Sequence, residues 1–335
     1  MNERKVRITR KGQTKMKKHS TICAGIDTGK HTLDVAIEGS SQQLQVKNTT
    51  AGHVALATWL REHRVKRVGI EASGGYEQAV VAHLRHDGFI VVVFQPAQVR
   101  AYAFFRLQRA KNDKIDAALI AACTAAIKNI HAPPDPRLVP FAGRLTMIEQ
   151  IVEDMRCCKN RYESSRDKAI RAHWKEQIRL LAATLRTEFK RIVAEIRQHR
   201  DLAERLDLIE SVPGIGLRTA VAILVRMPEI GRLTREQVAA LLGVAPYDHD
   251  SGQFAGLRHI AGGRERLRGS LYNAALPAAF RWNPQIMALY QRLIAAGKPH
   301  KVALIACARK LIIYVNTVVQ RATPWREQPP VLASR

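Results

Sequence analysis

Four acids have the types and spacing to do chemistry. Asp113 and Asp116 lie in Ala110-Lys111-Asn112-Asp113-Lys114-Ile115-Asp116-Ala117-Ala118, which turns from polar to alanine-rich and apolar-periodic. That pattern predicts the first turns of a helix, where residues three apart share a face. Two carboxylates held together repel unless a cation or a shared proton sits between them. Alone, the pair equally describes a solvated helix start, where acids are favoured by the helix dipole. Two more acids stand upstream, Asp27 closing the apolar run from Ile22 and Glu71 closing the strand-like run from Val65. Strand-end acids and a helix packed on that end can converge. Four carboxylates brought together call for hard cations, and Mg²⁺ prefers oxygen ligands of this kind. Two such ions could clamp the attacking and leaving oxygens of an in-line phosphoryl transfer.

The elements that must position these acids follow from the hydrophobic pattern. Ile22–Asp27 and Thr32–Ile37, separated by Thr28-Gly29-Lys30-His31, predict a hairpin, with a possible third strand over 41–47. A helix over 51–63 precedes the strand 65–71, a helix over about 76–87 precedes the buried strand 89–94, and Pro96 closes it. Strands that begin as a hairpin and then alternate with helices predict a mixed α/β sheet. Pro133-Pro134-Asp135-Pro136 marks a rigid break. Residues 144–208 contain almost no Gly or Pro and repeat apolar positions at three-to-four spacing, which predicts a long helical hairpin or coiled coil. It would serve as a spacer, a dimerisation arm or an RNA-binding surface.

Val212-Pro213-Gly214-Ile215-Gly216-Leu217-Arg218 separates two apolar helices and resembles a helix-hairpin-helix element. The amides around Gly214 and Gly216, with Arg218, would suit a DNA phosphate; a tight interhelical turn is the plainer alternative. Further on, Arg258, Arg264, Arg266 and Arg268 surround Gly262-Gly263, a composition that suits close backbone approach to phosphates. Helices over 265–282 and about 299–319 complete a small α-helical domain.

Composition sets the partner class. The 335 residues carry 54 Lys+Arg against 29 Asp+Glu, a formal charge of +25, which points to DNA or RNA. Residues 1–20 hold eight Lys or Arg and one Glu, a basic flexible arm by pattern. Five cysteines without a CxxC fit free thiols in a reducing cytosol, and His83 with His86 lacks partners at zinc spacing. The apolar run from Val302 to Val319 is broken by Arg309 and Lys310, which favours a buried helix over a membrane span. No signal-peptide core precedes residue 20, so an intracellular, cytoplasmic location is expected. An aromatic content of 6% argues against base stacking as the main mode of recognition.

Gly25-Ile26-Asp27, Gly69-Ile70-Glu71-Ala72-Ser73-Gly74-Gly75-Tyr76 and Lys111-Asn112-Asp113-Lys114-Ile115-Asp116-Ala117 resemble the motifs of the DEDD transposases of insertion sequences, relatives of the Piv/MooV invertases. Val212–Gly216, Gly243-Val244-Ala245-Pro246, Ser251-Gly252 and Arg258 through Arg268 extend the resemblance over roughly residues 20 to 320 in order. It implies a RuvC-like, ribonuclease-H-type catalytic domain over 21–132, a helical arm over 144–208 and a C-terminal transposase domain over 209–322. By the same resemblance Asp27, Glu71, Asp113 and Asp116 bind two Mg²⁺ ions, for which Mn²⁺ could substitute, and Ser251 is the nucleophile that joins a DNA end covalently. By itself Ser251 is an ordinary turn residue with no histidine–acid pair beside it. The family further implies a structured non-coding bridge RNA that pairs with donor and target DNA. It also implies a homo-oligomer, dimer or tetramer, at the nucleoid of a prokaryote, in which the acids and serine of one working site come either from one subunit or from different ones. Three rivals use the same residues differently. A RuvC-type nuclease would employ water in place of Ser251, and a non-catalytic binder would leave the acids idle. A sugar-kinase or actin-like ATPase would need a second phosphate loop where Gly262-Gly263 instead sits among arginines.

Overall fold

The computed structural model describes residues 21–107, 113–128, 135–247 and 258–326, with the backbone alone at 113–115. Two compact units, 1–132 and 133–335, divide the chain.

The first unit is a five-stranded mixed sheet with helices on both faces. Its elements are β1 (Cys23–Thr28), β2 (Thr32–Ile37), β3 (Gln43–Lys47), α1 (Thr50–Glu62), β4 (Arg67–Glu71), α2 (Gln78–His86), β5 (Ile90–Phe94), α3 (Pro96–Phe105) and α4 (Asp113–Ala126). The sheet order is β3-β2-β1-β4-β5. β2 runs antiparallel to β1 and β3, while β1, β4 and β5 are parallel. This order is compatible with a ribonuclease-H-like domain. Local chemistry starts the helices: Thr49 caps α1 by accepting from the Gly52 amide, and Pro96 opens α3 behind a Gln95–Gln98 capping box.

Strand alternation sorts the sheet into two faces. Ile26, Leu33, Val35, Val68 and Ile70 pack one face against Leu56 and Leu60 of α1 and Val80 and Leu84 of α2. The other face carries Gly25 and Gly69, in register with each other and with Ala36 and Val92. On this glycine row lies α4. A Cβ at Gly25 would overlap the Ala117 carbonyl and the Ala121 amide, and one at Gly69 would overlap the Thr124 hydroxyl. Leu119, Ile120 and Cys123 of α4 complete the packing against Phe94 and Val99.

The second unit is helical. α5 (Val139–Ser164) and α6 (Lys168–Arg197) form an antiparallel hairpin, pinned near its base by Arg144 on Glu195 at 2.6 Å. Asp167 turns the tip by accepting from the amides of Ala169 and Ile170. Beyond it come α7 (Arg200–Glu210), α8 (Leu217–Arg226), α9 (Arg235–Leu242), a two-stranded ribbon of β6 (Pro246–Tyr247) and β7 (His259–Ile260), α10 (Glu265–Pro277), α11 (Pro284–Ala295) and α12 (His300–Arg321). The base of the hairpin joins the helical core through Leu145, Ile148, Ile192 and Ile196. α12 is long and apolar enough to cross a membrane by composition, but its Leu304, Cys307, Leu311, Ile312 and Val315 fill that core.

Two expectations change in detail. The span 144–208 holds three helices, with breaks at 165–167 and 198–199. The predicted helix over 265–282 ends at Pro277 and widens into a π-helical turn over 278–282. Pro277 has no amide to donate one turn back, and the chain loosens there before Asn283 caps α11.

Candidate active site

Two residues beyond the glycine row, the same sheet face carries a row of polar side chains. Gln45 pairs in register with Asp34, and Asp34 with Asp27. Asp27 and Glu71 each follow the paired residues Ile26 and Ile70 on parallel strands, and Glu71 pairs with Phe94. Read across the sheet, one level runs Gln45, Asp34, Asp27, Glu71, Phe94.

The direction of α4 brings its acids to this row. Arg67, at the start of β4, donates from Nη1 to the carbonyls of Thr124 and Ile127 at 3.4 and 3.1 Å, so the C-terminal end of α4 lies over the strand beginnings. α4 therefore runs antiparallel to β1 and β4, and its N-terminal turn, with Asp113 and Asp116, lies at the strand ends where Asp27 and Glu71 stand. Asp116 directly precedes Ala117, whose carbonyl lies against Gly25. Asp27, Glu71 and Asp116 are each half-buried. The backbone of Asp113 opens α4.

Asp34 escaped the sequence reading. It is buried, and the side-chain amide of Gln45 donates to its Oδ1 at 2.8 Å. Its signal was present but indirect. The Gly29 amide donates to the Thr32 carbonyl, which closes the turn so that 27 falls opposite 34.

The loops that follow β1 and β4 are tied together beside this row. Asn48 donates from Nδ2 to the Gly29 carbonyl at 3.0 Å and to the Tyr76 carbonyl at 3.1 Å. His53 Nε2 backs Asn48 Oδ1 at 2.8 Å. Burial pushes the His53 pKa down, with the neighbouring His83 adding to the shift. The Glu77 carboxylate accepts from the Ser73 amide and hydroxyl and the Gly75 amide at 2.9–3.1 Å, fixing the turn after Glu71. Burial raises the Glu77 pKa, but these hydrogen bonds and its own backbone amide outweigh it and leave the carboxyl below its usual range.

Among the described residues no three His, Cys, Asp or Glu side chains form a ready-made metal cage. The donor chemistry nonetheless fits a hard cation. Asp27, Asp34, Glu71 and Asp116 offer carboxylate oxygens alone, and no thiolate or imidazole joins them in the row.

Several of the other predicted residues are engaged inside the second unit. Gly214 has φ 98°, and a Cβ there would overlap Ala278, so this glycine permits a tight turn against the end of α10. Gly216 caps α8, and Arg218 lies over the Phe189 ring at 5.7 Å. Arg264 pairs with both oxygens of Glu229, Arg266 with Glu149, and Arg268 donates to the Gly262 carbonyl at 2.6 Å. Arg258 is exposed. Ser251 falls in 248–257, outside the described residues.

Comparison with known proteins adds to this geometry. Residues 24–162 match a family model for the IS110 DEDD transposase domain, and residues 206–291 match the transposase IS116/IS110/IS902 family. The pilin gene-inverting protein of Moraxella lacunata is 26% identical over 318 residues, covering 90% of this chain and 96% of its own. Its counterpart from Moraxella bovis matches to the same extent. An IS110 insertion-element protein of 43.6 kDa from Streptomyces coelicolor is 29% identical over 125 residues, 37% of this chain and 31% of that one.

Proposed function

From a chain that carries both transposase domains of the IS110 family, and is thus a DNA recombinase, we propose a two-centre mechanism of strand cleavage and exchange. Asp27, Glu71, Asp113 and Asp116 hold Mg²⁺ in a RuvC-like first domain, and Ser251 of the second domain attacks DNA. The observation that carries the reading is the shared level of Asp27 and Glu71 on neighbouring parallel strands, with α4 running back to place Asp116 at the same sheet end.

When bound, the cation would lower the cost of negative charge developing on the scissile phosphate and on the attacking and leaving oxygens. The chain's residues supply the rest. The Asn48 and Glu77 hydrogen bonds keep the flanking loops, and with them the acid row, in place. The Ser251 hydroxyl gives its proton to water, its Oγ bonds to phosphorus, and the departing DNA oxygen takes a proton from water in turn. One backbone P–O bond breaks and frees a hydroxyl DNA end. The resulting phosphoserine keeps the ester, so a second hydroxyl end can displace the serine and complete the exchange.

The charge of +25 and the long α5–α6 hairpin support a structured guide RNA as further partner, consistent with the family resemblance. The pilin gene-inverting relatives support site-specific inversion or insertion as the outcome. In this reading the protein works as a homo-oligomer.

The test is recombination between plasmids carrying the element's ends and a target, with the flanking non-coding RNA co-expressed. Wild type should leave a covalent protein–DNA adduct, and both Ser251→Ala and Asp113→Ala should abolish recombination and adduct. Cleavage by Ser251→Ala at the wild-type rate would assign the attack to water and make the protein a nuclease.

A further inference from the structure

A cavity of about 680 Å³ opens in the second unit between the start of α9, α11, α12 and the segment that follows it. Its size lies within the range of sites that take small organic ligands. Arg235, Lys310, Arg321 and Arg326 line it, and no carboxylate does. Among the described residues none of these four cations sits in an ion pair, whereas Arg137, Arg144, Arg226 and Arg264 of the same unit all do. One carboxylate, Glu236, lies near Arg235, so four cations against one acid leave the concave surface net positive and attract an anion.

The cavity is also aromatic. Tyr314 and Trp325 lie with ring centroids 4.8 Å apart, and the Lys310 ammonium stands 5.0 Å from the Tyr314 ring centre. Both residues are held in place by hydrogen bonds. The Tyr314 hydroxyl donates to Gln285 Oε1 at 2.6 Å, and the Trp325 backbone amide donates to Ser211 Oγ at 2.9 Å. A phosphate alone would not need the rings, and a plain hydrophobe would not need four cations. A planar heterocycle attached to phosphates uses both.

We infer that this cavity receives one unpaired nucleotide of a DNA or RNA strand, its base against Trp325 and Tyr314 and its flanking phosphates on Arg235, Lys310 and Arg321. Base–aromatic stacking tolerates any base, while the cations follow the backbone. Such a site would hold a strand where pairing is broken, at a melted DNA end or an RNA loop. The inference rests on the nucleic-acid function proposed above for the origin of the strand.

The full-length protein, titrated into fluorescently labelled single-stranded DNA, single-stranded RNA and duplex DNA, tests it by anisotropy. Trp325→Ala should weaken both single strands about tenfold and leave the duplex unchanged. Trp325→Phe should recover most of the loss, since a ring remains. The double variant Lys310→Gln, Arg321→Gln should flatten the salt dependence of single-strand binding by roughly 1.4 in log–log slope. The tighter of the two wild-type single strands identifies the source. Single-strand affinity unchanged in Trp325→Ala, or equal losses on single strand and duplex, would overturn the inference. With wild type still recombining DNA, that result removes the pocket and leaves the recombinase; wild type that binds no nucleic acid removes both.

Discussion

Asp27 and Asp34 stand directly opposite each other on antiparallel β1 and β2, on the sheet face that α4 covers. Like charges at cross-strand positions destabilise a sheet, and Gln45 offsets only part of that by donating to Asp34. Asp34→Asn, which keeps an acceptor for Gln45, should stabilise the protein in EDTA by about 0.5 kcal/mol. It should also shrink the rise in melting temperature that Mg²⁺ gives wild type. A Mg²⁺-induced rise of the same size in both proteins would remove Asp34 from the cation's surroundings.

The glycine row sets how closely α4 approaches the sheet. Gly25→Ala and Gly69→Ala each push a methyl group into α4, at a cost of about 1–3 kcal/mol by overpacking. DNA cleavage should fall with them, because the helix carries Asp116. Gly143→Ala in α5, where a Cβ meets open space, is the control and should stabilise by roughly 0.5–1 kcal/mol. Equal melting temperatures for all three variants would contradict this packing.

His53 makes the loop tie pH-dependent. Its folded pKa lies below the ordinary 6.5, so between the two values the unfolded chain binds more protons. Its contribution is present above about pH 6.5 and is lost as pH falls through the folded value. Hydrogen exchange at the Gly29 and Tyr76 loops should rise as pH drops below 6.5, after correction for intrinsic rates. The rise should be absent in His53→Gln.

In the second unit Asn316 is buried and serves two backbone groups, accepting from the Gly231 amide and donating to the Leu233 carbonyl, both at 2.8 Å. Asn316→Leu orphans both, and should cost about 2–3 kcal/mol by denaturant titration. A loss under 1 kcal/mol would show that the α8–α9 connection reorganises readily.

Much of the first unit is legible in period-two alternation, in the Gly29 turn and in acids that end apolar runs. Register is where that legibility stops. Asp34 reads as one polar position in an alternating strand, and only its pairing opposite Asp27 gives it meaning. Gly25 and Gly69 read as motif residues, but their reason is α4, far along the chain, whose backbone passes against Gly25 and whose Thr124 side chain lies against Gly69. In the second unit the arginines around Gly262 suggest a phosphate loop by composition. Their partners Glu229, Glu149 and the Gly262 carbonyl show how folding gives several of them internal work. The Trp325 cavity is invisible along the chain, because its walls come from separate helices.

The two rows on the α4 face obey an odd–even rule. Gly25 and Asp27 share a face because they are two apart, as do Gly69 and Glu71. Inserting a single residue between glycine and acid in either strand reverses the parity of everything beyond it, turning the carboxylate into the apolar layer under α1 and α2. Inserting two restores the face but carries the acid one row farther from α4. The spacing inside Gly25-Ile26-Asp27 and Gly69-Ile70-Glu71 is thus a ruler with one usable graduation, and the intervening isoleucines, both fully buried, are what hold it against the opposite core.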